Sequence, residues 1–387
     1  MKYVDAFRDG TIARRLAATI AGAVDPARTY RYMEFCGGHT HAIARFGLAD
    51  LLPGNVRLIH GPGCPVCVLP VGRIDQAVNL ALEQGVILCS YGDVMRVPAS
   101  GGLSLLGARA RGADVRMVYS PADALGVARA NPDRQVVFLA IGFETTTPPT
   151  ALVIRDAARE GLANFSVLCN HVLTPAAMHQ LLDETGESGP SPVPIDGFIG
   201  PAHVSVVIGT RAYEHFAQTW HRPVVIAGFE PLDVMQAVSM LVRQTHAGRA
   251  QVENQFTRAV RREGNPAARA AIDAVFETAD GFEWRGLGWL PHSALRIRAD
   301  CARFDAERRF GLVDRRVPDH PQCACAAMLR GRMSPPECRL FGTACTPETP
   351  LGPCMVSSEG ACAAHWTYGR FRGVPVRTEA GSQPVLR

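Results

Sequence analysis

Sulfur carries the most distinctive chemistry in this chain. Cys64-Pro65-Val66-Cys67 is a CxxC pair whose two-residue spacing lets both thiols bind one metal ion or close a disulfide. It follows an apolar run and precedes a helix expected from near Arg73. A thiol near a helix N-terminus is drawn toward thiolate by free N–H groups and the positive end of the dipole. Redox work and metal binding are both open for the pair, with structural zinc as the rival. A third thiol stands in Phe35-Cys36-Gly37-Gly38-His39-Thr40-His41. The double glycine there permits a tight loop, and His39 and His41, at i and i+2, share a side if the chain is extended. Cys and His are soft to borderline ligands suited to iron or zinc.

The remaining sulfur gathers near the other end. Of 12 cysteines, six fall between Cys323 and Cys362. Cys338, Cys345, Cys354 and Cys362 are separated by 7, 9 and 8 positions, with Pro, Gly and Ser between them. Zinc ribbons use paired CxxC knuckles, which this stretch lacks. Wide, irregular spacing suits four thiolates converging on an iron–sulfur cube. Zinc and disulfides are the alternatives. Cys323 and Cys325 are surplus to a set of four and could substitute within it. Cys89, Cys169 and Cys301 read as small core residues.

These thiols need a scaffold, and most of residues 1–280 supplies an alternation of short apolar runs with amphipathic stretches. Expected strands are Val56–Ile59, Val86–Cys89, Val115–Tyr119, Val136–Ile141, Phe165–Cys169, Gly197–Ile199 and Pro223–Ala227. Their nearly continuous hydrophobicity is that of strands buried on both faces of a parallel sheet. Expected helices are Arg73–Gln84, Pro121–Arg129, Pro149–Glu160, Pro175–Glu184 and Leu232–Thr245. The fold class is therefore α/β, with open parallel-sheet layers. Val136–Pro148 and Val224–Pro231 both run from a buried strand into Gly-Phe-Glu and then proline, which suggests two related units. The expected division is residues 1–125, completed by a later segment, residues 126–280, and a C-terminal cysteine-rich iron–sulfur domain over 281–387. Residues 231–278 look mainly helical, Gly186–Pro194 reads as a surface loop, and Thr378–Arg387 looks frayed. Ligands of open parallel sheets bind where strand C-termini converge. The loops expected there carry His60–Cys67, Asp93, Glu144, His171, His203 and Glu230.

Composition narrows the classes. Basic residues exceed acidic ones by 40 − 36 = 4, too small and dispersed a surplus to imply nucleic acid. Lys2 is the only lysine, which removes the P-loop and lysine Schiff-base chemistries. No apolar run approaches a membrane span, and the first residues lack the greasy segment of an export signal. A cytoplasmic protein with no membrane partner is expected, a setting in which disulfides seldom persist.

Taken together, FCGGHTH at Phe35–His41, GPGCPVC at Gly61–Cys67, GFETTTP at Gly142–Pro148, GPAHVS at Gly200–Ser205, GFEP at Gly228–Pro231 and the cysteines of Cys338–Cys362 resemble the hydrogenase maturation factor HypD family. The resemblance spans nearly the whole chain. It implies a scaffold on which the iron centre of nickel–iron hydrogenase is assembled with cyanide and carbon monoxide. A HypC-type small chaperone would share the iron and a HypE-type partner would deliver cyanide. Cys36 would hold the iron, and Cys64 and Cys67 would form a redox pair or complete the iron site. Cys338, Cys345, Cys354 and Cys362 would carry a 4Fe–4S cluster. His39, His41 and Glu230 are the expected positioning or proton-handling residues, ahead of Glu144 and His203. The competing reading is a stand-alone thiol–disulfide oxidoreductase resembling ferredoxin–thioredoxin reductase.

Overall fold

In a computed structural model that describes residues 5–183 and 193–370, strands form where β-branched residues run without polar interruption, and helices follow where proline or a capping side chain opens them. Ser120 and Asp123 make a reciprocal capping box before helix Pro121–Ala130, and Asp9 caps helix Gly10–Ala23. The loop expected at 186–194, except its last two residues, and the end expected to fray lie outside the described residues.

The chain enters through β1 (Tyr30–Glu34) and β2 (Val56–His60). It then leaves to build a second layer from β3 (Ile87–Ser90), β4 (Val115–Met117), β5 (Val136–Gly142) and β6 (Phe165–His171). It returns with β7 (Gly197–Gly200), β8 (Val224–Ile226) and β9 (Val252–Asn254). Two parallel sheets result, in the orders β2-β1-β7-β8-β9 and β4-β3-β5-β6. Sheet membership thus cuts across chain order. The strands expected at Val86–Cys89 and Val115–Tyr119 join β5 and β6 in the second sheet, and those expected at Gly197–Ile199 and Pro223–Ala227 join β1 and β2 in the first.

Two strands depart from the sequence expectation for the same physical reason, which is polarity. β1 reads Tyr-Arg-Tyr-Met-Glu, yet Tyr30, Tyr32, Met33 and Glu34 are all fully buried. β9 lies in a stretch expected to be helical; as an edge strand it is only partly covered, so its side chains stay polar. The rest of the 231–278 stretch divides into helix Pro231–His246, helix Pro266–Asp273 and a short strand at Phe276–Thr278.

One continuous apolar core runs through both sheets and the cysteine-rich tail. It includes Met33 of β1 and Phe35 just after it, Cys64 and Cys67, Leu88, Val137 and Leu168 of the second sheet, Trp284, and Cys325, Cys345, Cys354 and Cys362. The tail is therefore packed into the same body as the sheets. Arg73, at the start of helix Val71–Glu83, is 4% exposed and pins this arrangement. It donates to Asn170 Oδ1 (2.5 Å), the Cys169 carbonyl (2.8 Å), Asp314 Oδ1 (2.7 Å) and Glu307, joining β6 to the segment that leads into the tail. Arg73→Leu strands two buried acceptors, while the carboxylates keep some water. Urea unfolding should show a loss of about 1–3 kcal/mol, and an unchanged midpoint would show that this arginine pins nothing.

Candidate functional site

Parallel strands bring their C-terminal loops to one edge, and the first sheet does this for the residues that carry sulfur. β1 ends in Glu34, and two residues later Cys36 stands at the N-terminal boundary of helix Gly37–Phe46. β2 ends in His60 and leads into the Gly61–Cys64 loop and the short helix Pro65–Val68. The two loops meet backbone to backbone. Gly37 N–H donates to the Gly63 carbonyl (3.0 Å), and a Cβ on Gly63 would stand 2.4 Å from Cys36 N. Only glycine lets the chain carrying Cys64 come this close to Cys36.

Glu34, which the sequence reading passed over, fixes this junction. Fully buried, it accepts the Cys36 N–H (3.1 Å), the Thr40 hydroxyl, and a bond with His60 Nδ1 (2.8 Å). Its position one residue ahead of FCGGHTH was the available signal. A lone acid at a strand end is indistinguishable in sequence from a solvated one.

Cys64 and Cys67 form a disulfide with Cα atoms 5.2 Å apart, and both are buried. Cys36 is a free, buried thiol. Burial pushes it up to about 12, with Glu359 and Glu34 adding to the rise and the N–H groups of Gly38 and His203 opposing it. The helix N-terminus does not outweigh desolvation here.

His39 and His41 take different directions. The double glycine opens a helix instead of an extended loop, so positions i and i+2 fall on opposite faces. His39 is buried, its Nε2 lying 3.0 and 3.1 Å from the Ala227 and Gly228 carbonyls, which fixes the proton on that nitrogen. Nδ1 has no hydrogen-bond partner, and burial lowers the pKa, so the ring is neutral with one bare lone pair. His41 turns to the tail, with Nε2 3.0 Å from the Tyr368 hydroxyl and the rings edge to face. Phe229 lies between the rings of His39 and His203, at 4.9 and 4.3 Å.

The acids are occupied by structure. Arg8 grips Glu230 with Nε (2.5 Å) and Nη2 (2.9 Å). Glu144 accepts the Thr174 N–H and hydroxyl, both at 3.0 Å, at the opening of helix Thr174–Leu182. Burial pushes Glu144 up to about 7, against those bonds.

The tail docks on both sulfur loops. Glu359 covers Gly37, where a Cβ would stand 2.2 Å from the Glu359 Cβ, and Ser357 reaches Asp93 (3.3 Å). Helix Pro65–Val68 packs on the turn Pro353–Met355, which contains Cys354. Behind that turn Cys323, Cys325, Cys338, Cys345 and Cys362 line a narrow chamber with Met328, Leu340, Phe341 and Met355, leaving about 10 Å³ free. Cys323 and Cys325 both crowd Gly352, and Cys362 Sγ lies 3.3 Å from Met328 Sδ. Among the described residues no three Cys, His, Asp or Glu side chains already surround a single metal position. The donor set itself suits a soft metal cluster: abundant buried thiols inside apolar walls.

The family model described as the hydrogenase formation hypA family, HypD, matches residues 11–369. The chain belongs to the HypD family. It is similar to the hydrogenase maturation factors HypD of Azotobacter vinelandii (65% identical over 96% of this chain and 98% of that one) and Cupriavidus necator (64%, 97% and 99%). It is also similar to that of Escherichia coli (51%, 88% and 90%). Membership makes this a hydrogenase maturation factor, and it agrees with the α/β architecture of parallel sheets and cysteine-rich tail. No helix among the described residues is long and apolar enough to cross a membrane.

Three outcomes follow for this HypD-family site. Gly63→Ala places a methyl group against fixed backbone, so protease resistance of the Cys36 loop should fall; an unchanged digestion pattern would show the contact is dispensable. In metal-free protein, alkylation of Cys36 should still be rising with pH at pH 10, since its pKa lies near 12. Glu359→Gln removes a negative neighbour and should speed alkylation at pH 9, whereas an unchanged rate would show that Glu359 does not act on the thiol.

Proposed function

We propose that this chain is the scaffold on which the iron of nickel–iron hydrogenase receives its cyanide and carbon monoxide ligands, the iron being cargo held at the Cys36 loop. The observation that supports it is the Gly37–Gly63 backbone contact, which puts a free thiol beside a two-thiol loop at one sheet edge. Cys36 stays protonated in its buried setting until ferrous iron takes the place of the proton. The neutral His39 ring, its Nε2–H committed to two carbonyls, offers a proton acceptor at Nδ1 without adding charge. Opening the Cys64–Cys67 disulfide breaks one S–S bond, takes up two electrons and two protons, and yields two thiols able to complete the iron's ligands. The electrons come from an external one-electron protein donor.

Cys338, Cys345, Cys354 and Cys362 would hold a 4Fe–4S cluster, with Cys323 and Cys325 near enough to substitute. When bound, such a cluster passes electrons one at a time. His41 and Tyr368 hold the tail helix Ala361–Tyr368 to the Cys36 helix, and Glu359 seats the loop between them. A HypC-type chaperone shares the iron, and a HypE-type partner supplies cyanide. A stand-alone disulfide reductase is favoured by the Cys64–Cys67 disulfide alone. Its burial, 3% and 0% exposed, keeps a protein disulfide from reaching it.

Purified without oxygen alongside the small chaperone, the protein should contain one iron beyond the cluster and show infrared bands of bound cyanide and carbon monoxide. Cys36→Ser should abolish the bands and keep the cluster iron and sulfide, while Cys345→Ser combined with Cys323→Ser and Cys325→Ser should lose both cluster components. Bands that survive Cys36→Ser at full strength would refute the assignment.

A further inference from the structure

One buried charge outside the Cys36 loop is incompletely matched. Arg285 lies in the turn joining strands Gly281–Trp284 and Gly288–Pro291, and it is 5% exposed. The turn is held from two sides. Arg285 N–H donates to the Val68 carbonyl (2.7 Å), at the end of the helix that contains Cys67. Gly286, at φ +82°, rests on the helix Cys325–Leu329, where a Cβ would stand 2.9 Å from Ala326 Cα. The turn that carries Arg285 is thus anchored between the CxxC helix and the helix of Cys325.

Its charge pairing is partial. Nε is 3.3 Å from Asp319 Oδ1, but Asp319 keeps a third of its side chain in water. Neither Nε nor Nη2 has a hydrogen-bond acceptor. Arg73, equally buried, shows the contrast, since each of its nitrogens meets an oxygen. A buried guanidinium with bare donors is strongly destabilising unless a further negative group completes it. The adjoining chamber is lined by five thiols and by no cation, and Cys354 stands in the turn beside it.

We propose that Arg285 is the counter-charge of the cluster held by the chamber thiols, and that it raises the reduction potential of that cluster. The inference rests on the iron–sulfur reading of the chamber. Thiolate ligation leaves a buried anionic cluster, and reduction adds one more negative charge; a fixed neighbouring cation stabilises the reduced form more than the oxidised one. Cys354 lies within electrostatic reach of the Arg285 charge. Asp319, four residues before Cys323, partly cancels the cation and so sets how much of its field the cluster feels.

The test is a dye-mediated redox titration of the full chain without oxygen, followed by electron paramagnetic resonance of the reduced cluster. Iron, sulfide and thermal midpoint are measured on each sample. Arg285→Gln should shift the cluster midpoint potential downward, Arg285→Lys should restore most of it, and Asp319→Asn should shift it upward, all with parental iron and sulfide. Unshifted potentials in Arg285→Gln and Asp319→Asn proteins that carry a full cluster would overturn the assignment. If Arg285→Gln does not fold, Asp319→Asn decides alone: an upward shift supports the counter-charge and no shift overturns it. Parent protein without iron and sulfide would instead overturn the cluster reading on which the inference stands.

Discussion

The site depends on the close approach of two backbones, with Gly63 laid against Cys36 and the Gly37 N–H bonded to the Gly63 carbonyl. Parallel pairing of β1 with β2 brings Glu34 level with His60, so the loops after them leave the sheet side by side. Glycine then removes the side chain that would hold them apart. Glu34 locks the result by bonding to Cys36, Thr40 and His60 at once. If this junction widened, the thiols would remain in the protein but the loops of Cys36 and Cys64 would no longer lie side by side.

Burial is the second constraint, and it sets the chemistry. Thiols in water are partly ionised near neutral pH, but Cys36 is held as the thiol because charge is costly where it sits. A metal ion changes that balance by supplying the positive charge itself. The cysteine chamber has the same logic on a larger scale, with apolar walls and many sulfurs. Packing the tail into the core shared by both sheets brings the two sulfur systems together without a long linker.

Much of this was legible in the sequence where chemistry and local pattern coincide. Uninterrupted runs such as Val136–Ile141 and Phe165–Cys169 announced buried parallel strands, and the CxxC loop and tail cysteines announced themselves by spacing. Long-range pairing was not legible. Nothing local says that β7 and β8 return to β1, because both sheets use strands of the same composition. Polar residues were the hardest to place. Glu34 and Arg285 look like surface charges yet are buried, and Glu230 beside its Gly-Phe motif is paired with Arg8. His39 and His41 separated because Gly37-Gly38 opened a helix, and Glu359 of the tail packs over Gly37.

The most direct measurement is Mössbauer spectroscopy of protein loaded with iron-57 without oxygen, in complex with its small chaperone. A low-spin ferrous doublet separate from the cluster signal, present in the parent and absent from both Cys36→Ser and Cys64→Ser, is the expected result. A spectrum containing the cluster signal alone, or a separate doublet indifferent to both substitutions, would contradict a shared iron site at this junction.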